Sequence, residues 1–268
     1  MRVISEIIQL RELLVSLKSN KVKVGFVPTM GFLHDGHLKL VRKAKADCDI
    51  VVVSIYVNPS QFNDAADFEH YPKDLDRDKT MLQSQGCDIL WLPSQSAIEA
   101  LDLPKVYDVE GIDEVLEGRY RPGHFKGVKE VVFRLFSVVM PHRAYFGEKD
   151  FQQFAVIKAL VRRNELPIDV VGVPTEREAD GLAMSSRNVR LSGQERILAP
   201  QLYRNLKEIV NQGEAQLALS IDHAKRQLEK TGFKVEYLEV HELFGLKRLF
   251  IAAHLGKVRL IDNVSFSV

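Results

Sequence analysis

Hydrophobic and polar positions follow two distinguishable rhythms along this chain. Between residues 3 and 18, Ile4, Ile7, Ile8, Leu10, Leu13, Leu14 and Leu17 recur at helical spacing, which predicts an amphipathic first helix. Residues 22–27 and 49–57 are instead short, nearly unbroken apolar runs, as expected of parallel strands covered on both faces. Further helices are predicted over 36–46, 73–85, 128–139 and 151–163, with strands over 88–92, 106–109, 143–146 and 168–174. Residues 63–71, 93–105 and 118–127 read as loops. Alternation of strand and helix predicts an α/β fold built on a parallel, doubly wound sheet.

The rhythm changes after residue 175. A polar stretch at 175–188 precedes two predicted helices, 192–211 and 215–231, and two strands, 234–240 and 257–261. Helices followed by strands suggest a separate, smaller α+β unit. The division expected is therefore 1–175 for the large unit and 176–268 for a C-terminal lid or clamp.

Composition narrows the possible partners. Lys and Arg total 37 against 36 Asp and Glu, a formal charge of +1, so no global field recruits nucleic acid or membrane. The N-terminal residues lack the apolar core of a signal peptide, and no apolar run approaches the ~20 residues that cross a bilayer. Cys48 and Cys87 stand far apart outside any C-x-x-C pattern, which speaks against a disulfide framework or zinc site. A reducing cytoplasm is the expected compartment.

Candidate chemistry gathers at strand ends. The predicted strand 22–27 runs into Pro28-Thr29-Met30-Gly31-Phe32-Leu33-His34-Asp35-Gly36-His37 and then a helix. Free amides of a first helical turn, with the helix dipole, favour an anion there, and two histidines three apart share one side of the turn. Taken alone, the tetrapeptide from His34 to His37 is equally a helix cap with two surface histidines. Gly147-Glu148-Lys149-Asp150 has the same strand–turn–helix setting, and Lys149 suits phosphate charge. Met184-Ser185-Ser186-Arg187 offers the hydroxyls and arginine of a phosphate clamp, although an ordinary linker has the same composition. Arg119, Arg121, His124 and Lys126 form a basic cluster, read as solvated surface or as a contact for RNA or a phosphate. Asp74, Asp76 and Asp78 read as an exposed helix face, with Asp78 a candidate magnesium ligand. Neither a P-loop nor a G-x-G-x-x-G or G-x-S-x-G pattern is present.

In their order, these motifs resemble the pantothenate synthetase family. The resemblance rests on Pro28-Thr29-Met30-Gly31 running into His34-Asp35-Gly36-His37, on Val57-Asn58-Pro59-x-Gln61-Phe62, and on Arg121-Pro122-Gly123-His124-Phe125-x-Gly127-Val128. Phe146-Gly147-Glu148-Lys149-Asp150-x-Gln152-Gln153, the run from Asp180 to Asn188, and Leu260-Ile261-Asp262-Asn263 extend it over nearly the whole chain. It implies a Rossmann-like domain of the H-x-G-H nucleotidyltransferase group. The implied reaction is ATP-dependent condensation of pantoate with β-alanine to pantothenate, through pantoyl adenylate, with release of pyrophosphate and AMP.

The resemblance implies that His37, His34 and Lys149 are catalytic. It places ATP against Met30, Gly31, Phe32, Leu33, His34, Asp35, Gly36 and His37, against Gly147, Glu148, Lys149 and Asp150, and against Glu176, Met184, Ser185, Ser186 and Arg187. Pantoate falls to Gln61 and Gln153, and β-alanine to Gln61. Mg2+ accompanies ATP, and a homodimer is implied. Glu130, Arg134 and Glu176 depart from the family pattern, Glu176 standing where an apolar residue is usual. Other readings are a different H-x-G-H nucleotidyltransferase, or a non-catalytic nucleotide- or RNA-binding protein.

Overall fold

A computed structural model describes residues 1–19, 21–102 and 108–266. Among them a six-stranded sheet has the order β1-β4-β3-β2-β5-β6, all neighbours parallel, and a separate three-stranded antiparallel sheet has the order β7-β8-β9. The large sheet consists of β1 (Arg2–Ile4), β2 (Val24–Thr29), β3 (Ile50–Ile55), β4 (Ile89–Trp91), β5 (Arg143–Gly147) and β6 (Asp169–Val173). Its helices are α1 (Ile7–Ser19), α2 (Asp35–Asp47), α3 (Ala65–Glu69), α4 (Leu75–Ser84), α5 (Gln95–Glu99), α6 (Glu117–Tyr120), α7 (His124–Val139) and α8 (Phe151–Arg163). After β6 come α9 (Gly193–Leu198), α10 (Gln201–Gln212) and α11 (Leu217–Lys230), then β7 (Phe233–Leu243), β8 (Leu246–Leu255) and β9 (Val258–Ser265).

The apolar strands are buried on both faces, as their composition requires. Phe26, Val52, Ala144 and Phe146 point into one core with α1, α7 and α8, while Val27, Val51, Val53 and Tyr145 point into the other with α2. This period-2 division of continuous apolar runs is the signature of a sheet between two helical layers. A third core joins α10 and α11 to the small sheet through Leu206, Leu228, Leu238 and Ile251.

Several expectations are corrected. The first apolar residues form β1 before α1 begins, paired with β4. The stretch 118–127 is largely helical, because α6 and the start of α7 lie in it. Residues 63–71 hold the short α3, capped by Asp64. The expected helix 192–211 is two helices parted at Ala199-Pro200, since proline lacks the amide a continuous helix would use. Between the two expected C-terminal strands lies β8, the central strand of the small sheet. Of the strand expected at 106–109, residues 106 and 107 lie outside the described residues, and Asp108 and Val109 are not in a strand.

Chain order along the large sheet runs outward from β2 through β3 to β4, then returns beside β2 as β5 and β6. The direction of winding reverses between β2 and β5. In an open α/β sheet, ligands bind at the C-terminal strand ends beside such a reversal. Here β2 ends at Thr29 and β5 at Gly147, at the two motifs singled out above.

Candidate active site

The turn after β2 is tightly specified. Gly31 has φ +80° and Phe32 φ +48°, left-handed conformations that glycine adopts freely and phenylalanine does not. Asp78, buried on α4, holds the turn by accepting from the amides of Phe32 and Leu33, both at 2.7 Å. Burial lifts its carboxyl above the usual range despite these two donors. Arg77 supports the same turn, donating to the Leu33 carbonyl at 2.9 Å with its guanidinium over the Phe32 ring. Asp78 therefore braces backbone with both oxygens and is not among the residues that line the cavity beside it.

His34 caps α2 and forms a reciprocal box with His37. The Gly36 amide donates to His34 Nδ1 (3.2 Å), and the His34 amide donates to His37 Nδ1 (3.3 Å). Both neutral rings must then carry their proton on Nε2. A Cβ at residue 36 would lie 2.9 Å from the His34 ring, so the box needs glycine there. The ring centroids are 4.0 Å apart. Burial, then Lys149 and Arg77, lower His34 to about 4; burial and His34 hold His37 well below the ordinary imidazole value. Both are neutral hydrogen-bond donors at pH 7.

These histidines open on a cavity of about 230 Å³. Met30, Gly36, Gly147, Lys149, Asp150, Glu176, Met184, Ser185, Ser186 and Arg187 also line it, as do Gln61 and Gln153. The motifs after β2, β3, β5 and β6 thus converge on one space. Of the expected nucleotide contacts, Gly31, Phe32, Leu33, Asp35 and Glu148 do not line it. Leu33 is core, Asp35 faces solvent, and Glu148 pairs with Arg248 of β8 at 2.8 Å. Glu176 forms a salt bridge with Lys39 at 2.8 Å, which accounts for a carboxylate at that position.

The 175–188 stretch is a braced hairpin. Arg177 bridges to Ala183, pairs with buried Asp262 of β9 through both terminal nitrogens (2.6 and 2.9 Å), and lies 3.6 Å from the Tyr203 ring centroid. Ser186 donates to the Phe32 carbonyl at 3.0 Å, tying this segment to the histidine turn. Arg187 is engaged by a residue that no sequence motif singles out. Asp67 of α3 accepts from its Nε (3.2 Å) and Nη2 (2.7 Å), and from Arg190 (2.6 Å). Burial raises Asp67, but the two arginines outweigh it and hold the carboxyl below its usual range.

Gln153 turns into the cavity, whereas Gln152 is buried and holds the chain before α6, donating to the carbonyls of Ile112 and Val115. Gln61 also lines the cavity, its side-chain Nε2 against Met30 Sδ (2.7 Å), while its backbone carbonyl accepts from Arg121 (3.2 Å) and His124 (2.8 Å). The expected basic cluster is thus split: Arg121 and His124 face inward, leaving Arg119 and Lys126 exposed. Asn263 of β9 donates to the carbonyls of Glu148 and Lys149, both at 2.9 Å, and so holds the second motif from below.

The sequence model of the pantoate-beta-alanine ligase family matches residues 2–265. A pantothenate synthetase of Acinetobacter baylyi is 48% identical over 254 residues, covering 90% of each chain. That of Caldicellulosiruptor bescii is 42% identical over 98% of each. Among solved structures, pantothenate synthetase from Thermus thermophilus superposes with TM-score 0.89 at 42% identity over 99% of both chains. Pantoate-beta-alanine ligase from Francisella tularensis, complexed with beta-gamma ATP and beta-alanine, does so with TM-score 0.87 at 37% identity, over 99% of this chain and 98% of that one.

Proposed function

The chain belongs to the pantoate–β-alanine ligase family, and from that premise we propose that this cavity carries both half-reactions of the ATP-dependent condensation of pantoate with β-alanine. One observation carries the assignment. His34, His37, Lys149, Ser185 and Arg187 line the same cavity as Gln61 and Gln153, so phosphate-binding groups and acid-binding amides share one space.

In the first step a pantoate carboxylate oxygen attacks the α-phosphorus of ATP, and the bond to the bridging oxygen breaks as pyrophosphate departs with its electron pair. Such a step needs charge dispersal more than covalent help. The Nε2–H groups of His34 and His37 and the Lys149 ammonium serve the triphosphate oxygens, and Arg187 and Ser185 grip the leaving group. Gln61 and Gln153 hold pantoate in line. In the second step the β-alanine amine, held beside Gln61, attacks the acyl carbon, loses a proton, and AMP leaves.

Magnesium enters as the partner of ATP. Among the described residues no three His, Cys, Asp or Glu side chains gather to hold a metal. Mg2+ needs only one or two carboxylates beside phosphate oxygens and water. Asp150, whose side chain is 46% exposed on the cavity wall, fits that sparse set and would hold it. When bound, the ion neutralises phosphate charge.

A homodimer is the expected assembly on family grounds, and sedimentation at micromolar concentration tests it. Among the described residues no helix is long and apolar enough to cross a membrane. Both cysteines are buried free thiols, in keeping with a reducing cytoplasm.

Pantoate-dependent exchange of labelled pyrophosphate into ATP tests the function. Exchange driven equally well by an unrelated acid would assign the cavity to a different nucleotidyltransferase.

A further inference from the structure

The small sheet reaches toward the acid-binding side of the cavity through one arginine. Arg259 of β9 donates to both oxygens of Glu117 on α6 (2.7 and 2.8 Å), and its Nε and Nη2 donate to Glu236 of β7 (2.9 and 2.7 Å). Glu236 also pairs with His254 of β8 at 2.8 Å, so all three strands fix this guanidinium. Glu117, 6% exposed, further accepts from the Tyr237 hydroxyl (2.6 Å) and from Arg121 (3.2 Å).

The contacts continue to the cavity. Arg121 Nη2 donates to the Gln61 carbonyl at 3.2 Å, and Nη1 donates to His124 Nε2 at 3.2 Å. That places the His124 proton on Nδ1, which donates to the same carbonyl at 2.8 Å. The charges balance, Arg121 and Arg259 against Glu117 and Glu236.

A buried pair between two layers has an ordinary use, which is to join them. Two features exceed it. The path ends on the backbone of a residue whose side chain lines the cavity. And Glu117 has little freedom: Leu116 before it has φ +45°, a Cβ on Gly118 would lie 1.8 Å from the Asp113 carbonyl oxygen, and the Glu117 amide is held by Gln152 at 2.9 Å. Rigid support of this kind is what a group needs when its angle matters.

We propose that Glu117 and Arg259 are positioning residues for the acid substrate. They fix Arg121, and Arg121 with His124 fixes the Gln61 backbone, so that the Gln61 amide meets pantoate at the angle adenylation requires. The proposal rests on the reading of Gln61 as a pantoate ligand, and it makes the small sheet part of the acid site.

The test is pantoate-dependent ATP–pyrophosphate exchange, with pantoate and ATP titrated separately, in Glu117→Gln, Arg259→Lys, Gln61→Ala and the Gln61→Ala/Glu117→Gln double variant. Glu117→Gln should raise the KM for pantoate roughly tenfold or more, as slight misplacement of a bound group does, with the KM for ATP within about twofold. Arg259→Lys keeps the charge but loses the fork, and should show the same selective rise if Glu117→Gln does not fold. In the double variant Glu117→Gln should add nothing to Gln61→Ala. Variants that melt earlier yet keep the wild-type pantoate KM, or that raise both KM values together, overturn the proposal. Gln61→Ala with unchanged pantoate KM overturns the assignment of Gln61 and this inference with it; if Gln61→Ala alone moves that KM, only the inference falls.

Discussion

His34 and His37 show how much a residue's chemistry depends on what its other atoms are doing. With each Nδ1 occupied by a backbone amide, each ring presents Nε2–H outward without needing a positive charge. His37→Ala should keep the fold and lower adenylate formation by ~10²–10³, the usual loss for one charge-stabilising donor; wild-type exchange rates would remove His37 from the reaction. The same burial gives a pH signature. His34 and His124 titrate at about 4 in the folded chain against 6.5 for a free imidazole, so between these values the unfolded chain binds more protons. Their contribution is complete above 6.5 and is lost progressively down to about 4. Urea midpoints should therefore fall as pH is lowered through that window, and a flat profile would contradict the neutral, buried state of the rings. The two histidines were legible in sequence because glycine and a helix start surround them. The bracing role of Asp78 was not, because a carboxylate that accepts backbone amides 45 and 46 residues away leaves no local pattern.

At the level of elements, the stretch 118–127 is instructive. Its glycines and basic residues have the composition of a loop, yet they build α6 and the first turn of α7. Gly127 explains part of this. A Cβ there would lie 2.4 Å from the Ser60 carbonyl oxygen, so the glycine lets α7 press against the segment carrying Gln61. Asn58 closes the contact by donating to the Gly127 carbonyl at 3.1 Å. Because the obstacle is backbone, Gly127→Ala should cost about 1–3 kcal/mol in urea unfolding and raise the KM for pantoate; an unchanged pair of values would mean the contact is slack. The short α3 has the look of a loop in sequence for a related reason: its five residues are too few to show a helical period. Its Asp67 takes Nε and Nη2 of the arginine proposed to grip pyrophosphate, so carboxylate and phosphate share one guanidinium. Asp67→Asn should accordingly tighten ATP binding by calorimetry, and weaker binding would show that Asp67 orients Arg187 for the nucleotide.

Across the whole molecule, the large sheet was the most legible part, because strands buried on both faces must be apolar throughout and their helices must keep a 3.6-residue period. The small sheet was half legible. Strand β8 contains Phe250, Ile251, Ala252 and Ala253 between Lys247-Arg248 and His254, and without strict alternation it shows no clean period. Convergence of the motifs could be expected from sequence, whereas the bracing from behind could not, since Arg177–Asp262, Arg259–Glu117 and Arg248–Glu148 each join residues 85 or more apart.

Asn263 gives this arrangement a consequence in time. The carbonyls it holds belong to Glu148 and Lys149, residues synthesised more than a hundred positions earlier. A ribosome will have released the strands and helices of the large sheet well before β9 leaves the exit tunnel. Until then the lysine turn lacks its support and Arg177 lacks its carboxylate, however complete the parallel sheet already is. A nascent or prematurely terminated chain ending before residue 258 should therefore be inert toward ATP while exposing the apolar surface that the small sheet covers, and such fragments should be recognised by chaperones and proteases as unfinished.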